Sequence, residues 1–501
     1  MQYSVQRETM RGIADAVRGL AYTDAQMTPD EIIDEINEHT LGIPLSPDIC
    51  GKMANGKWVR PADWPDIAAL FEEIGEDEDC AYLTYKLSRY PDGAWIGIDG
   101  QADTWVVERG HIENGVFIAD EAHEVSGRSK FIQLLNSEYG DVQLWRIRTI
   151  SGHMDNFGFT QNGTSGNLLY NQLQPCVEAV IHFPYYISLG SIRGMQTNTG
   201  YRSLVTIWME RIALSIATKL PVTAIHEQTF SNGYCLCEID LSKMDTSQWT
   251  VFSSYYTFGN CFNLQYLDLS PLDLNGWSAY GGIRETFVNC YKLKKIKFGN
   301  WDTTNWVTNQ LYAVFNGCYS LQELDLSWVN SSNWEINTMI DFVNNCKSLK
   351  RIIGFNDLDT ANWPLGSLYR TFQDASNLEE VDMSRMDISN WSITDAAGCF
   401  SRCYSLKKIK LPTGLGGKST RANGNIIPVE CRLLTDYDGT DNGYSHNLSS
   451  NFSLSTTSLK NILINLPTVT AATTITLGSA LLSKLTAEQI AVATQKGWTV
   501  A

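Results

Sequence analysis

The chain is short of positive charge, of long apolar runs and of catalytic motifs, and each shortage removes a class of function. Over 501 residues it carries 38 Lys and Arg against 55 Asp and Glu, a formal net charge of −17. Such a surface repels phosphate backbones and anionic headgroups, so neither nucleic acid nor a membrane is expected as a partner. No apolar stretch approaches the about 20 residues a bilayer-spanning helix needs. The opening MQYSVQRETMRGIADAV has no apolar h-region, and export through a cleaved secretory signal is not expected. GxSxG, HExxH and phosphate-loop patterns are missing. His39, His111, His123, His153, His182, His226 and His446 fall at no ligand spacing. No carboxylate pair stands out from the solvated surface, which disfavours a polysaccharide-cleaving enzyme. The expectation is a non-enzyme with no catalytic residue, cofactor or metal. The nearest thing to a metal motif is Asp436-x-Asp438-Gly439-x-Asp441-Asn442-Gly443. It lacks the closing Glu of a calcium loop, and Asx turns account for it.

What the chain does have is a repeat. TFGNCFNLQYLDLS at 257–270 returns as TFVNCYKLKKIKFG at 286–299, as VFNGCYSLQELDLS at 314–327 and as FSRCYSLKKIKLP at 400–412. The leading leucines Leu236, Leu264, Leu293, Leu321, Leu349, Leu378 and Leu406 are separated by 28, 29, 28, 28, 29 and 28 residues. Trp249, Trp277, Trp306, Trp334, Trp363 and Trp391 keep the same beat. A fixed period of this length means a solenoid, in which each unit buries its apolar face only against its neighbours. The L-x-x-L-x-L run of Leu264, Leu267 and Leu269 predicts a short strand of a parallel sheet with apolar side chains inward. Phe258, Phe287, Phe315, Phe372 and Phe400 should fill the opposite wall. Asp245-Thr246, Asp302-Thr303 and Asp359-Thr360 suit tight turns, and each following Trp is expected to stack on its equivalent one coil away. A sugar-stacking stripe is the rival reading of that Trp column.

Of 12 cysteines, five share one repeat position: Cys261, Cys290, Cys318, Cys346 and Cys403, with Gly233 and Ala375 as equivalents. A column that accepts Cys, Ala or Gly calls for a small buried side chain. Five thiols pointing one way cannot all pair, so reduced core residues are predicted. The spacings fit no zinc set.

The strand positions facing outward alternate in charge: acidic at Asp268, basic at Lys294, Lys295 and Lys297, acidic at Glu323 and Asp325. They continue basic at Lys350 and Arg351, acidic at Glu379, Glu380 and Asp382, basic at Lys407, Lys408 and Lys410. Coils lie about 4.8 Å apart, so opposite charges are predicted to meet across every step and to hold the register.

The fold class read from these patterns is mainly β with some α: a leucine-rich-repeat solenoid, preceded by a small β domain and a short N-terminal helical module. Residues 1–40 form two short helices for attachment or oligomerisation, the second opened by a capping box at Thr28-Pro29-Asp30-Glu31. Residues 41–80 are a linker. Residues 81–150 alternate as the strands of a small antiparallel domain. Residues 151–228 are a transition in which CVEAVIHF (176–183) and SLVTIWM (203–209) read as degenerate coils. Clear repeats occupy 229–412. Residues 413–501 form a C-terminal cap, with a second capping box at Thr486-Ala487-Glu488-Gln489 and Gly497 as a helix stop.

The segment Phe315-Asn-Gly-Cys318-Tyr-Ser-Leu321-Gln-Glu-Leu324-Asp325-Leu326-Ser327 resembles the repeat of the BspA-like leucine-rich-repeat family, over about 180 residues in all. It departs in placing Trp where that family has Val, and in the broken unit Ile352-Ile353-Gly354. The resemblance implies adhesion at bacterial surfaces without a fixed ligand. The start, Glu8 to Val17 with Met27-Thr-Pro-Asp-Glu31, and the tail, Thr474 to Ser479 with Leu485-Thr-Ala-Glu-Gln489 and Lys496-Gly-Trp498, resemble modules of phage tail and virion proteins of gut bacteria. Together these imply a virion protein (tail fibre, baseplate or capsid decoration) assembled in the host cytoplasm. Its partners would be other virion proteins, through 1–40, and a host surface protein or glycan, and it would be a homo-oligomer. A bacterial cell-surface adhesin is the alternative, weakened by the missing signal peptide. Because the strand face pairs its own charges, ligand contacts are expected from loop aromatics: Tyr185, Tyr186, Tyr201, Tyr437 and Tyr444.

Overall fold

A computed structural model describes residues 52–54, 57–59, 66–70, 80–86, 94–100, 104–127, 129–134, 142–151, 154–160, 176–183 and 209–216. It also describes 228–418, save 248–250, 253, 276–277 and 280–282, and 426–501, save 427 and 438–442. The chain divides into Met1–Trp64 and Pro65–Ala501. In the first unit, Lys52–Ala54 pairs antiparallel with Lys57–Val59. The helical module read over 1–40 lies outside the described residues. Part of the stretch read as linker belongs to the second unit's core: in the helix Ile67–Leu70, both named residues are buried.

The alternating segments of 81–150 form strands, as period-two patterning dictates. Four of them join three later strands in one seven-stranded sheet, in the order Glu238–Asp240, Arg211–Ile216, Cys176–Phe183, Cys80–Lys86, Val142–Ser151, Thr104–Glu113, Val116–Ser126. Ala94–Gly100 sits between Ser129–Leu134 and Met154–Thr160 in a second, antiparallel sheet. Asn114 and Gly115, at φ 51° and 86°, make the tight hairpin turn that matches strand twist. Cys176–Phe183 is antiparallel to Cys80–Lys86 on one side and parallel to Arg211–Ile216 on the other. The sheet of the early strands therefore continues without a break into the parallel stack. The second unit of that stack is Arg211–Ile216; of the segment 203–209 read as a degenerate coil, all but Met209 lies outside the described residues. Arg211 decides the register: it sits opposite Glu238 and reaches Glu178 at 3.1 Å.

Over 211–500 the chain is a β-solenoid of stacked coils. Each coil contributes a short strand such as Tyr266–Asp268, Glu323–Asp325, Glu380–Asp382 or Lys408–Lys410, with the middle residue (Leu267, Leu324, Val381, Ile409) buried. The opposite wall is the predicted phenylalanine column. Phe230, Phe258, Phe287 and Phe315 stack at 5.2–5.3 Å, and Phe372 stacks on Phe400 at 5.0 Å. On that wall each coil turns twice through left-handed residues four positions apart, as at Tyr256 and Asn260 (φ 55° and 62°) or Glu285 and Asn289 (φ 53° and 60°). Asparagine tolerates this region better than most residues. Here the asparagines also bond along the axis: Asn260 Nδ2 donates to Asn232 Oδ1 at 2.8 Å and Asn289 Nδ2 to Asn260 Oδ1 at 3.0 Å.

The small-residue column has a specific chemistry. The Sγ of Cys261, Cys290, Cys318, Cys346 and Cys403 donates to the carbonyl of a wall residue one coil earlier: Phe230, Phe258, Phe287, Phe315 and Phe372, at 3.0–3.2 Å. Cys431, which the sequence reading left out of the column, does the same to Phe400 at 3.0 Å. These phenylalanines use their N–H groups for the next coil, as Phe258 does toward Thr286. Their carbonyls also accept the N–H three residues on, as Phe258 does from Cys261 at 3.2 Å and Phe315 from Cys318 at 3.0 Å, so the thiol is a second donor to the same buried oxygen.

Asp-Thr divides its work between two scales. Asp245, Asp302 and Asp359 accept from the backbone two residues on at 3.0–3.1 Å, closing the corner. The hydroxyls of Thr246, Thr303 and Thr360 donate to Asp273, Asn330 and Asp387 of the next coil at 2.8–3.1 Å. Thr246 and Thr303 also accept a backbone N–H from that coil at 2.7 Å.

Three expectations are corrected. Trp306, Trp334, Trp363 and Trp391 are buried, yet among the described residues no ring contact joins one to the next. Trp306 instead packs on Trp301 and Trp328 at 6.0 and 5.9 Å. Residues 413–501 are not a cap set on the solenoid but further coils of it: His446–Asn447, Thr473–Thr476 and Trp498–Val500 pair in parallel. The helices Thr456–Asn465 and Ala487–Thr494 are carried within these coils, the latter with the predicted capping box at Thr486 and Gln489. The charge ladder, third, pairs in one direction only, as the next subsection describes.

The broken unit Ile352-Ile353-Gly354 has a purpose in packing. In the coil of Cys346 the wall position is Val343, too small to continue the ring stack. Gly354, at φ 74°, lets the chain turn inward, and Phe355 enters between Phe342 at 6.4 Å and Phe372 at 5.7 Å. A Cβ at Gly354 would lie 2.6 Å from the Ser327 backbone nitrogen, so both the angle and the space require glycine.

Candidate recognition surfaces

The strand face is built by short strands whose outward residues fall into columns one coil apart. Lys297 Nζ meets Asp268 at 2.9 Å, Arg351 pairs with Glu323, and Lys407, Lys408 and Lys410 meet Glu379, Glu380 and Asp382 at 3.0, 3.4 and 2.9 Å. Each of these five cations reaches back to the preceding coil, whereas Arg211, at the start of the stack, reaches back to Glu178 at 3.1 Å and forward to Glu238 at 3.4 Å. Among the described residues no ion pair joins Lys295 or Lys297 to Glu323 or Asp325, or Arg351 to Glu380 or Asp382. The predicted pairing across every step therefore holds at alternate steps. A single ammonium or guanidinium lies between two acidic coils and engages one of them. Arg370 to Asp341 (2.9 Å) and Arg402 to Asp374 (2.5 Å) follow the same backward direction on the turn wall. Burial pushes the Asp268 carboxyl up, but Lys297 and the Ser270 hydroxyl outweigh it and hold it below the usual range.

Beside this face runs a second aromatic column, Tyr234, Phe262, Tyr291 and Tyr319, stacked at 4.7–4.9 Å and within 11° of parallel. Lys347 covers the last ring at 4.9 Å, and Arg432 covers Tyr404 at 5.3 Å. Stacked rings cover one another's faces and show only edges, so the column offers no open face for a sugar ring. The buried tryptophans of the described coils offer none either.

Of the tyrosines expected to bind, Tyr185, Tyr186 and Tyr201 lie outside the described residues. Tyr437 is no loop residue: it ends the strand Asp436–Tyr437, is buried, and its hydroxyl donates to the Ile426 carbonyl at 2.6 Å. The run Tyr-Asp after a leucine-bearing turn reads as loop only if the coil spacing is taken to end at 412. Tyr444 is 39 % exposed. Asp436 lies in that same strand, opposite Lys408; the rest of the acidic motif, save Gly443, lies outside the described residues.

The arrangement does little chemistry of its own. Glu108 is buried, and Arg146 and Arg148 reach it at 2.6 and 3.2 Å. Burial raises its pKa, but the two guanidiniums more than offset this and keep it ionised. Burial pushes the Cys261 thiol up to about 12, and Cys290 and Cys318 well above their ordinary value. Such thiols stay protonated and are poor nucleophiles. Among the described residues no group of three His, Cys, Asp or Glu is placed to hold a metal, and no helix is long and apolar enough to cross a membrane. No family model, curated protein or solved structure matches the chain.

Proposed function

We propose that this chain is a non-enzymatic recognition protein: a leucine-rich-repeat solenoid of the BspA-like kind, carried on a phage virion and directed at the host bacterial surface. The observation that supports it best is the stack of coils locked by three independent ladders along its axis: backbone bonds, thiol-to-carbonyl bonds and threonine clasps. Such a stack is a rigid scaffold with inert side chains. Rigid scaffolds present binding loops, which is where recognition concentrates. The virion setting rests on the resemblance of the two ends, at Glu8–Val17 and Thr474–Trp498, to virion modules. The repeat resemblance taken alone favours a bacterial cell-surface adhesin, the second reading. Antibody labelling separates them. Signal on purified particles, with the protein found among particle components by mass spectrometry, supports the first reading. Signal confined to the envelope of uninfected cells overturns it. Within either reading, Tyr444 and the tyrosines of 184–202 are the proposed contacts, and residues 1–40 the proposed attachment point.

A further inference from the structure

The solenoid interior is not filled evenly. From Phe355 onward the coils are closed by Phe372, Phe400 and the leucines that face them. Before that plug, a cavity of about 150 Å³ spans the coils of Leu241 to Leu358. Its wall is carbon. Four tryptophans line it. Three turn the N–H away to a backbone carbonyl: Trp301 to Leu272 at 2.7 Å, Trp306 to Leu274 at 3.2 Å and Trp328 to Asp325 at 3.0 Å, while the buried Trp334 N–H has no partner. The lining hydroxyls of Ser254 and Thr286 bond to each other at 3.0 Å. The wall is thinnest at the corner between the strands and the Asx turns, where Met244, Leu272, Phe298, Trp328 and Val329 are only half-buried. The same corner is sealed in the next coil, where Phe355 and Leu358 are buried.

A dry apolar cavity of this size leaves its lining atoms without dispersion partners on one side. An apolar cavity of about 150 Å³ in another protein takes up benzene or xenon rather than water. Water would find too few polar partners here, the Trp334 N–H among them, and a charged ligand would lose its hydration with little in return. We propose that this cavity is a binding site for one small uncharged apolar molecule, an aromatic ring or a short hydrocarbon chain, entering at the Met244–Val329 corner. Trp249 and Trp277, the sequence equivalents of Trp306 in the two preceding coils, lie outside the described residues.

The test uses the full chain, with benzene as the probe and benzoate as the charged control of the same ring size, followed by calorimetry and by ligand-observed nuclear magnetic resonance. Benzene should bind saturably at one site per chain, and benzoate about 100-fold more weakly or not at all. Val329→Phe should fill the mouth and weaken benzene about tenfold or more, with circular dichroism and elution volume unchanged. Should that variant misfold, Met244→Phe, at the equivalent half-buried corner position three coils earlier, takes its place. Absence of saturable benzene binding overturns the site, as does benzoate binding equally well. A folded filling variant that binds like the parent overturns it too.

Discussion

At the scale of the residue, a repeat position earns its identity from the bond it makes to the next coil. Thr303 is the clearest case, because one hydroxyl both donates to Asn330 and accepts from its N–H. Thr303→Val keeps the shape and removes both bonds, leaving the Asn330 N–H and carbonyl without their part-buried partner. It should destabilise by about 1–3 kcal/mol, read as a lower urea midpoint; an unchanged midpoint would remove the clasp from the account. The thiol column carries a pH signature with a definite sign. The ordinary thiol value is 9.0, and Cys261 is raised to about 12 in the fold. Below pH 9 both folded and unfolded thiols are protonated and the full stability is present. Between pH 9 and 12 the unfolded chain loses protons that the folded chain keeps, so stability falls as pH rises, by up to about 1.4 kcal/mol per unit for each buried thiol. Tyr291, raised by burial to about 12 from 10.0, adds to the fall above pH 10. Urea midpoints at pH 7.5 and 10.5 should differ by less in Cys318→Ala than in the parent. The column thiols should react with a titrating reagent only after denaturation, without reductant.

At the scale of the element, the inward turn at Gly354 and the ring it delivers are one device. Gly354→Ala forces a Cβ into a left-handed residue and against Ser327, a change expected to lower stability by about 1–3 kcal/mol. Phe355→Ala removes the ring between Phe342 and Phe372 and should lower it by about 3–5 kcal/mol. Thermal unfolding of the two variants checks both; a Phe355→Ala protein as stable as the parent would mean that the plug is not needed. The charge ladder is a weaker element. Its members are solvent-exposed, so its pairs are screened, and they contribute more to register than to stability.

At the scale of the whole molecule, recognition and attachment are expected to separate. A variant with Tyr444 and the tyrosines of 184–202 changed to Ala should lose binding to host cells. A variant with Lys297, Arg351 and Lys407 neutralised should keep both fold and binding. Loss confined to the second variant, with circular dichroism intact, would move the binding site to the strand face. Deleting 1–40 should leave the coils folded and stop incorporation or self-association, checked by sedimentation and by particle composition.

The amino-acid sequence by itself determined what recurs in every coil. Period, inward leucines, the phenylalanine wall, the small thiol column and the Asp turns are repeated local choices, and repetition makes each one visible many times. The strands of 81–150 were equally legible, because period-two alternation needs no partner to be read. What only the tertiary structure decided lies between coils or breaks the period. The strand at Arg211–Ile216 shows itself only by its pairing with Cys176–Phe183 and Glu238–Asp240, because a short apolar segment off the repeat's beat carries no signal of its own. Tyr437 is a core residue because one more coil follows 412 at the same 28-residue spacing, with Cys431, Leu434 and Tyr437 after Cys403, Leu406 and Ile409; its outline was in the sequence, and the strand pairing made it plain. The tryptophans depart from a stack because side-chain packing, not spacing, sets ring orientation. The thiol's carbonyl partner, the one-way ion pairs and the cavity before Phe355 all depend on how one coil sits on the next. Sequence spacing fixes which residues are neighbours across that gap, but the direction of each bond and the volume left unfilled are settled only when the coils pack.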